Sequence, residues 1–111
     1  MSATAEVLRK ALELLGPNGE HWCKERYFNG NKMCMQGATR RASLYADDSG
    51  FTSALCTNAL LKAVPDCEGN PIARWNDAPE RTWPEVKAAF EKAIGLAEAD
   101  STNSPVEVAN G

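Results

Sequence analysis

A helix start near the end of the chain constrains the fold more than any other feature of this sequence. Thr82 and Glu85 stand three residues apart, which is the spacing of a capping box. In that motif the threonine side chain accepts a hydrogen bond from the glutamate N–H, and the glutamate carboxylate accepts one from the threonine N–H. Pro84 falls in the first turn, where its missing N–H breaks no helical hydrogen bond. The pattern predicts a closing helix over residues 83–98.

Three further segments have the hydrophobic spacing of helices that turn one face towards a core. They cover residues 2–15, 34–46 and 51–64. The side chains predicted to be buried are Val7, Leu8, Ala11, Leu12 and Leu15 in the first segment, Met35, Ala38, Ala42 and Tyr45 in the second, Phe51, Leu55, Leu61 and Val64 in the third, and Val86, Phe90, Ala93, Ile94 and Ala97 in the closing helix.

The stretches between these helices predict a hairpin and a long connection. Asn29-Gly30 is a hairpin-turn pair, so residues 22–33 predict a short β-ribbon, which must lie against the helices because an isolated ribbon is marginally stable. Residues 66–81 predict a polar connection anchored by Ile72 and Trp75.

The fold predicted from these elements is mainly α, a compact bundle of about four helices with a short β-hairpin near residues 22–33. Residues 1–98 form the single helical domain, and residues 99–111, rich in small and polar residues, form a disordered tail. The predicted interior is built mainly from Leu12, Leu55, Trp75, Phe90 and Ile94.

Size and charge narrow the class of function. A chain of 111 residues is the length of one ordinary domain. Its net charge of −3 weighs against a protein that coats nucleic acid. The first residues lack a continuous apolar signal, and no apolar stretch reaches the roughly 20 residues that span a bilayer. We therefore expect a cytoplasmic protein without a membrane partner.

The four cysteines favour buried thiols over a metal site. Successive cysteines are 11, 22 and 11 positions apart, whereas zinc sites usually pair their ligands closely. Cys34 and Cys56 also sit in apolar-patterned segments, where a free cysteine behaves as a small hydrophobic residue. The alternative is a zinc-stabilised domain that uses His21, Cys23, Cys34 and Cys67.

Groups for catalysis are scarce. His21 is the single histidine of the chain, and a Cys-His pair would have to use it. The acidic pair Asp47-Asp48 fits a helix start, with Asp48 or Ser49 as the N-cap. No phosphate-binding loop, nucleophile elbow or HExxH motif is present. These observations predict a protein that is not an enzyme, with no catalytic residue, cofactor or metal ligand.

Aromatic and cationic side chains predict a partner-binding surface. A bundle of this size cannot bury every aromatic residue around 22–28, so several are expected on the surface. The predicted contact residues are Trp22, Tyr27, Phe28, Arg40 and Arg41. The partner expected is another protein, with a homodimer as a further option. The alternative partner is single-stranded nucleic acid, which binds to cationic side chains beside aromatic rings on which bases stack. The net negative charge of the chain makes nucleic acid the less favoured partner.

The segment before the closing helix predicts a packed corner. Asp77 and Arg81 are suited to a bidentate ion pair, with Trp75 beneath it. A partner-facing hot spot is the alternative, since tryptophan and arginine are enriched there. The structural interpretation is favoured because the capping box follows directly. The predicted corner residues are Trp75, Asn76, Asp77, Arg81, Thr82 and Glu85.

Two motifs carry a resemblance to a known group of proteins. They are Cys34-Met35-Gln36-Gly37-Ala38 at the start of a helix and Trp75-Asn76-Asp77-Ala78-Pro79-Glu80-Arg81-Thr82 at the corner. The chain resembles small uncharacterised proteins of actinobacteria and their bacteriophages over about residues 8–97, departing from them over 24–33. The resemblance implies no activity and no catalytic residue. It implies a phage or actinobacterial accessory protein in the host cytoplasm, which acts by binding a host protein.

Overall fold

A computed structural model of the chain describes residues 3–46, 51–64 and 71–103. Within these ranges the chain forms five helices and one two-stranded antiparallel sheet. In chain order the elements are α1 (Ala3–Leu15), β1 (Phe28–Asn29), β2 (Lys32–Met33), α2 (Met35–Ala46), α3 (Phe51–Ala63), α4 (Pro71–Asp77) and α5 (Trp83–Asn103). The mainly helical fold with a small hairpin is therefore confirmed.

Helix α1 lies at the centre of the bundle and packs against α2, α3 and α5. The hydrophobic spacing explains this position, because Val7, Leu8, Ala11 and Leu15 are buried as predicted. Leu12 is only partly buried and packs at the edge of the core. At the surface, the Arg9 guanidinium pairs with the Glu98 carboxylate and joins α1 to α5.

Helix α5 presents a continuous apolar face to the core. All five side chains that its spacing placed inside are buried: Val86, Phe90, Ala93, Ile94 and Ala97. The helix continues to Asn103, five residues beyond the predicted end at Glu98. Residues 104–111, which include most of the predicted tail, lie outside the described residues.

The hairpin forms at the predicted turn and lies on the bundle. Phe28 pairs with Met33, and Asn29 pairs with Lys32, while Gly30 takes a positive φ of 65° in the turn. On the other side of β2, Trp22 forms an isolated parallel bridge with Met33. The segment after α1 thus runs beside the hairpin and extends it by one backbone contact.

Two predicted helix faces are partly wrong. Tyr45 is 71% exposed, and Leu55 and Leu61 are each 38% exposed. On α2 the buried positions include Thr39 and Ser43, whose hydroxyls donate to the carbonyls of Met35 and Arg40. These local hydrogen bonds satisfy the buried hydroxyls, so Thr39 and Ser43 can face the core. The buried face of α2 is therefore turned away from the predicted one, and Tyr45 lies outside it. On α3 the inner face is formed by Cys56, Ala59 and Leu60, with Val64 just beyond the helix.

The predicted connection over residues 66–81 contains a helix that the sequence interpretation missed. Pro71 occupies the first position of α4, where proline is favoured because no helical partner for its N–H is needed. Ile72 is fully buried and Trp75 partly buried, so both anchors are confirmed. The caps proposed at Asp48 or Ser49, the side chain of Phe51, and Cys67 lie outside the described residues. None of the helices in the described ranges combines the length and apolar character needed to cross a membrane.

The start of α2 explains the Cys-x-x-Gly-Ala motif. The Cys34 sulfur accepts a hydrogen bond from the Gly37 N–H at 3.4 Å, so a thiol acts as the N-cap in place of the usual hydroxyl. The Tyr27 carbonyl accepts a hydrogen bond from the Cys34 N–H at 3.2 Å. A Cβ atom at position 37 would overlap that same carbonyl oxygen, so glycine permits the hairpin segment to press against the helix.

We expect Gly37→Ala to lower the free energy of unfolding by about 1–3 kcal/mol, because the added methyl group collides with backbone. The matched control is Gly95→Ala in α5, where a Cβ atom meets nothing within 4 Å. The control should be stabilising by about 0.5–1 kcal/mol, the ordinary preference of a helix for alanine. Urea denaturation followed by circular dichroism measures both changes. Equal stabilisation of the two variants would contradict the close approach of Tyr27 to α2.

Candidate functional site: the Trp-Asn-Asp corner and an exposed cationic face

Asn76, at the end of α4, is fully buried and forms four hydrogen bonds. Its Oδ1 accepts from the Trp22 indole N–H at 2.8 Å and from the Met35 N–H at 3.1 Å. Its Nδ2 donates to the Cys23 carbonyl at 3.1 Å and to the Asp77 carboxylate at 2.9 Å. The amide therefore uses all its hydrogen-bonding capacity and ties α4 to the start of α2 and to the segment after α1.

Asp77 holds the next turn of that segment. Its Oδ1 accepts a hydrogen bond from the Glu25 N–H at 2.7 Å, and Glu25 has a positive φ of 71°. This conformation is unfavourable for a residue with a side chain, so the charged acceptor helps to stabilise it. The Lys24 ammonium donates to the carbonyls of Ala78 and Pro79, at 2.8 Å and 3.2 Å. Asp77 and the two residues after it thus hold the loop that precedes the hairpin.

The predicted Asp77–Arg81 ion pair is wrong. The Arg81 guanidinium lies over the Trp75 ring, 3.9 Å from its centroid, and its Nε donates to the Trp75 carbonyl at 2.7 Å. It also pairs with Glu85 at 3.2 Å. Asp77 is instead engaged by Glu25 and Asn76, because α4 directs that carboxylate towards the hairpin segment. The prediction that Trp75 packs against Arg81 is confirmed.

The capping box at the start of α5 is confirmed in one of its two halves. The Glu85 carboxylate accepts from the Thr82 N–H at 3.0 Å, as predicted. The Thr82 hydroxyl, however, donates to the same carboxylate at 3.2 Å and is not an acceptor for the Glu85 N–H. The hydrogen bond from the Thr82 backbone lowers the pKa of Glu85, and the Thr82 hydroxyl and Arg81 act in the same direction.

Trp22 belongs to the corner and is not a free surface residue. Besides the bond to Asn76, its ring lies 6.2 Å from that of Trp83, and the Lys24 ammonium lies over it at 5.6 Å. Trp22 is partly buried against the core. Its role as a partner-binding residue stays a prediction. Replacing it would remove packing and a hydrogen bond.

The other four predicted contact residues remain on the surface, and two of them, Phe28 and Arg41, lie against each other. Tyr27 and Phe28 are 45% and 43% exposed, and Arg40 and Arg41 are exposed on α2. The Arg41 guanidinium lies 5.2 Å from the centroid of the Phe28 ring. The structure adds two residues that the sequence analysis missed, Leu44 and Tyr45, which are 59% and 71% exposed.

We call the surface formed by Phe28, Arg40, Arg41, Leu44 and Tyr45 the cationic aromatic face. Among its helical members, Arg41 and Leu44 are three residues apart, and the pairs Arg40/Leu44 and Arg41/Tyr45 are four apart, so they line one side of α2. Lys10 of α1 extends the face, since its ammonium lies 5.9 Å from the centroid of the Tyr45 ring. The exposed position of Leu44 and Tyr45 could have been inferred only by recognising that Thr39 and Ser43 face inwards.

The predicted burial of the thiols is confirmed for two of the three cysteines that the structure describes. Cys34 and Cys56 are buried, and Cys23 is partly buried. Burial raises the pKa of all three thiols, that of Cys56 to about 11. Within the described ranges no three histidine, cysteine, aspartate or glutamate side chains converge as a metal site would require. The zinc alternative also includes Cys67, which lies outside those ranges, and it stays a prediction.

A cleft lies between α1 and α5, with Trp83 at the start of α5 in its wall. It has a volume of about 460 Å³, and its walls include Leu12, Pro17 and Trp83. Gly19 approaches Trp83 so closely that a Cβ atom would lie 2.6 Å from the ring, and the indole N–H donates to the Pro17 carbonyl at 3.3 Å. These contacts anchor the turn after α1 on the start of α5.

The fold and the corner together define a small, mainly helical domain whose most distinctive motif is used to hold its own loops. A family model covers residues 1–96, and the chain belongs to that family, DUF6197, a family of unknown function. Membership of an uncharacterised family is what the resemblance implied. Neither the curated proteins nor the solved structures gave a match.

We expect Asn76→Ala to lower the free energy of unfolding by about 3–5 kcal/mol, the range for breaking a buried network. The substitution leaves the Trp22 indole N–H and the Met35 N–H without their acceptor. Asn58→Ala, on the exposed side of α3, is the control and should change stability by less than about 0.5 kcal/mol. Urea denaturation monitored by tryptophan fluorescence measures both. A loss below about 1 kcal/mol for Asn76→Ala would show that the network contributes little.

We expect the acid sensitivity of the fold to depend in part on Glu85. Its pKa is lower in the folded chain than the ordinary value of 4.5, so its stabilising effect is present above that value and is lost as the pH falls. Glu85→Gln should therefore flatten the decrease in melting temperature between about pH 5 and about pH 3. Glu91→Gln, on the same helix, gives the baseline for removing one surface carboxylate. If the melting temperature of both variants falls with pH as steeply as that of the wild type, the helix cap does not bind the ionised Glu85 carboxylate better than the protonated carboxyl group.

Proposed function

We propose that this chain is a non-enzymatic accessory protein that acts in the cytoplasm by binding another protein. The observation that carries the proposal is the cationic aromatic face. Leu44 and Tyr45 are the two most exposed large hydrophobic residues of the described chain, and they are adjacent. Exposed apolar residues scattered singly need no explanation, whereas a group of them rimmed by polar residues is typical of an interaction site.

The chemistry of the face supports a protein partner. Arginine and tyrosine are enriched among the residues that dominate binding energy at protein interfaces. The Arg41 guanidinium lies over the Phe28 ring, and the Lys10 ammonium lies over the Tyr45 ring. Both are cation–π contacts, which hold the two charged groups in place on the surface. These contacts already restrict the rotamers of Arg41 and Lys10. Less side-chain conformational entropy is therefore lost when a partner binds.

The corner supports the non-enzymatic part of the proposal. Its polar side chains are used within the fold: Asn76 forms four hydrogen bonds, Asp77 accepts from Glu25, and Arg81 is bound to Trp75 and Glu85. Groups that are already engaged in this way are poorly placed to act on a substrate. The corner motif that carries the resemblance is thus best explained by stability, and the partner is expected elsewhere on the surface.

The source of the chain enters the proposal through its resemblance to proteins of actinobacteria and their bacteriophages. On that basis the partner is a protein of an actinobacterial host, met in the host cytoplasm. A homodimer and single-stranded nucleic acid are the alternatives, and the same face would serve either of them. Stacked Arg41 and Phe28 are the observation that favours nucleic acid, and the net charge of −3 opposes it.

We expect the double variant Leu44→Ser/Tyr45→Ser to lose its partner while it keeps the wild-type stability within about 0.5 kcal/mol, because both side chains are exposed. The matched control is Leu55→Ser/Leu61→Ser, which alters two exposed leucines on α3. Each tagged protein is incubated with nuclease-treated actinobacterial lysate, and bound proteins are quantified by mass spectrometry.

A protein captured by the wild type and the control, but not by the Leu44/Tyr45 variant, supports the proposal. Capture that is unaffected by the Leu44/Tyr45 change excludes this face. A concentration-dependent dimer seen by analytical ultracentrifugation, and abolished by the same change, would favour the homodimer. Binding to a single-stranded oligonucleotide that falls steeply with salt would favour nucleic acid.

A further inference from the structure

We propose that the partner contacts the cationic aromatic face through an acidic amphipathic helix. This inference rests on the proposed function, because it names the kind of partner segment that the same face would bind. Three observations carry it: a depression that accepts an apolar side chain, cations without carboxylate partners, and a linear arrangement along a helix.

The depression lies between α1 and α2 at one end of the face. It has a volume of about 230 Å³ and is lined by Ala3, Glu6, Val7 and Lys10 from α1 and by Ala42 and Tyr45 from α2. For comparison, a cavity of about 150 Å³ in another protein holds benzene. Ala42 leaves room between the two helices that a larger residue would fill. One large apolar side chain of a partner therefore fits beside the exposed Tyr45 ring.

The charged residues that line the depression, Glu6 and Lys10, have opposite signs, so the two arginines of the cationic aromatic face are what favours an acidic partner. Within the described part of the chain neither Arg40 nor Arg41 pairs with a carboxylate, although the protein as a whole is acidic. Lys10 is 3.9 Å from Glu13, a distance at the limit of an ion pair. Guanidinium groups bind carboxylates through two parallel hydrogen bonds, so glutamate or aspartate is the complementary side chain.

The shape of the face favours a helix over a strand. Arg40, Arg41, Leu44 and Tyr45 form a ridge along α2, and α1 supplies the other wall of the depression. A ridge beside a groove is the surface on which an amphipathic helix docks. Strand addition is less suitable, because β1 and β2 have only two residues each and offer little edge for pairing.

A second copy of this chain is a poorer occupant than an acidic helix. A twofold dimer through this face would bring Arg40 and Arg41 of one copy close to the same residues of the other. Four guanidinium groups without carboxylates at one interface would repel each other. A nucleic acid would satisfy the charges but would leave the depression beside Tyr45 without an apolar side chain.

The test uses peptides of defined chemistry and the full-length protein. The first probe is a helical peptide of roughly 18 residues, five turns, with leucine on one face and glutamate on its flanks. The second has glutamine in place of glutamate, the third has lysine there, and the fourth is a scrambled version of the first. Binding is followed by changes in backbone amide chemical shifts, which locate the contact as well as its affinity.

We expect the glutamate peptide to shift the amides of Arg41, Leu44 and Tyr45 and to bind Arg40→Glu/Arg41→Glu about tenfold more weakly, since two ion pairs become repulsive. The lysine peptide should show the reverse preference and bind the charge-reversed variant better than the wild type. Circular dichroism confirms that the variant is folded. This exchange of partners would establish that the arginines recognise carboxylates.

Four results would overturn the inference. They are no binding of the glutamate peptide, equal binding of the glutamine peptide, equal binding of the scrambled peptide, and shifts centred on the cleft at Trp83. Tighter binding of a single-stranded oligonucleotide to the same amides would overturn it in favour of nucleic acid. A lysate protein whose capture depends on Leu44 and Tyr45 would still support the proposed function in any of these cases, so the two failures are distinguishable.

Discussion

The side-chain amide of Asn76 is the interaction on which the rest of the structure depends. Its four hydrogen bonds connect three parts of the chain that are remote in sequence: the segment after α1, the start of α2 and the end of α4. A buried amide that is fully satisfied specifies one arrangement of its neighbours, because any other arrangement leaves polar groups without partners. The hairpin, the Cys34 cap and the position of α2 all follow from that arrangement.

The side chains of the corner bond within the fold, which favours a structural role for them. Tryptophan, asparagine, aspartate and arginine are residues that commonly act at binding sites, and here each contacts another part of the same chain. In the cationic aromatic face, by contrast, the Arg41 guanidinium and the Lys10 ammonium lie over the aromatic rings of Phe28 and Tyr45. Through Phe28 and Arg41, the corner nevertheless fixes the hairpin relative to α2 and thereby shapes the face.

Much of the fold could be predicted because it depends on local patterns. The spacing of apolar residues located α1 and α5, Asn29-Gly30 located the hairpin, and Thr82 with Glu85 located the start of the closing helix. The errors came from contacts between remote residues or from hydrogen bonds that no spacing reveals. Thr39 and Ser43 are polar residues that were not among the side chains predicted to be buried. The helix α4 is shorter than two turns, too short for a hydrophobic spacing to show. The partner of Asp77 is a backbone N–H some fifty residues away.

The span of the Asn76 bonds has a consequence for the order in which the chain folds. Three of the four bonds join residues 41 to 54 positions apart, whereas α1, α2 and the hairpin form from neighbours. Contacts of this range require a large loop to close, so they are expected to form after the local elements. During synthesis, the first half of the chain lacks the Asn76 hydrogen bonds until α4 has left the ribosome. The segment after α1 and the start of α2 are then joined to α4 in a single late step, when the Asn76 amide bonds to both.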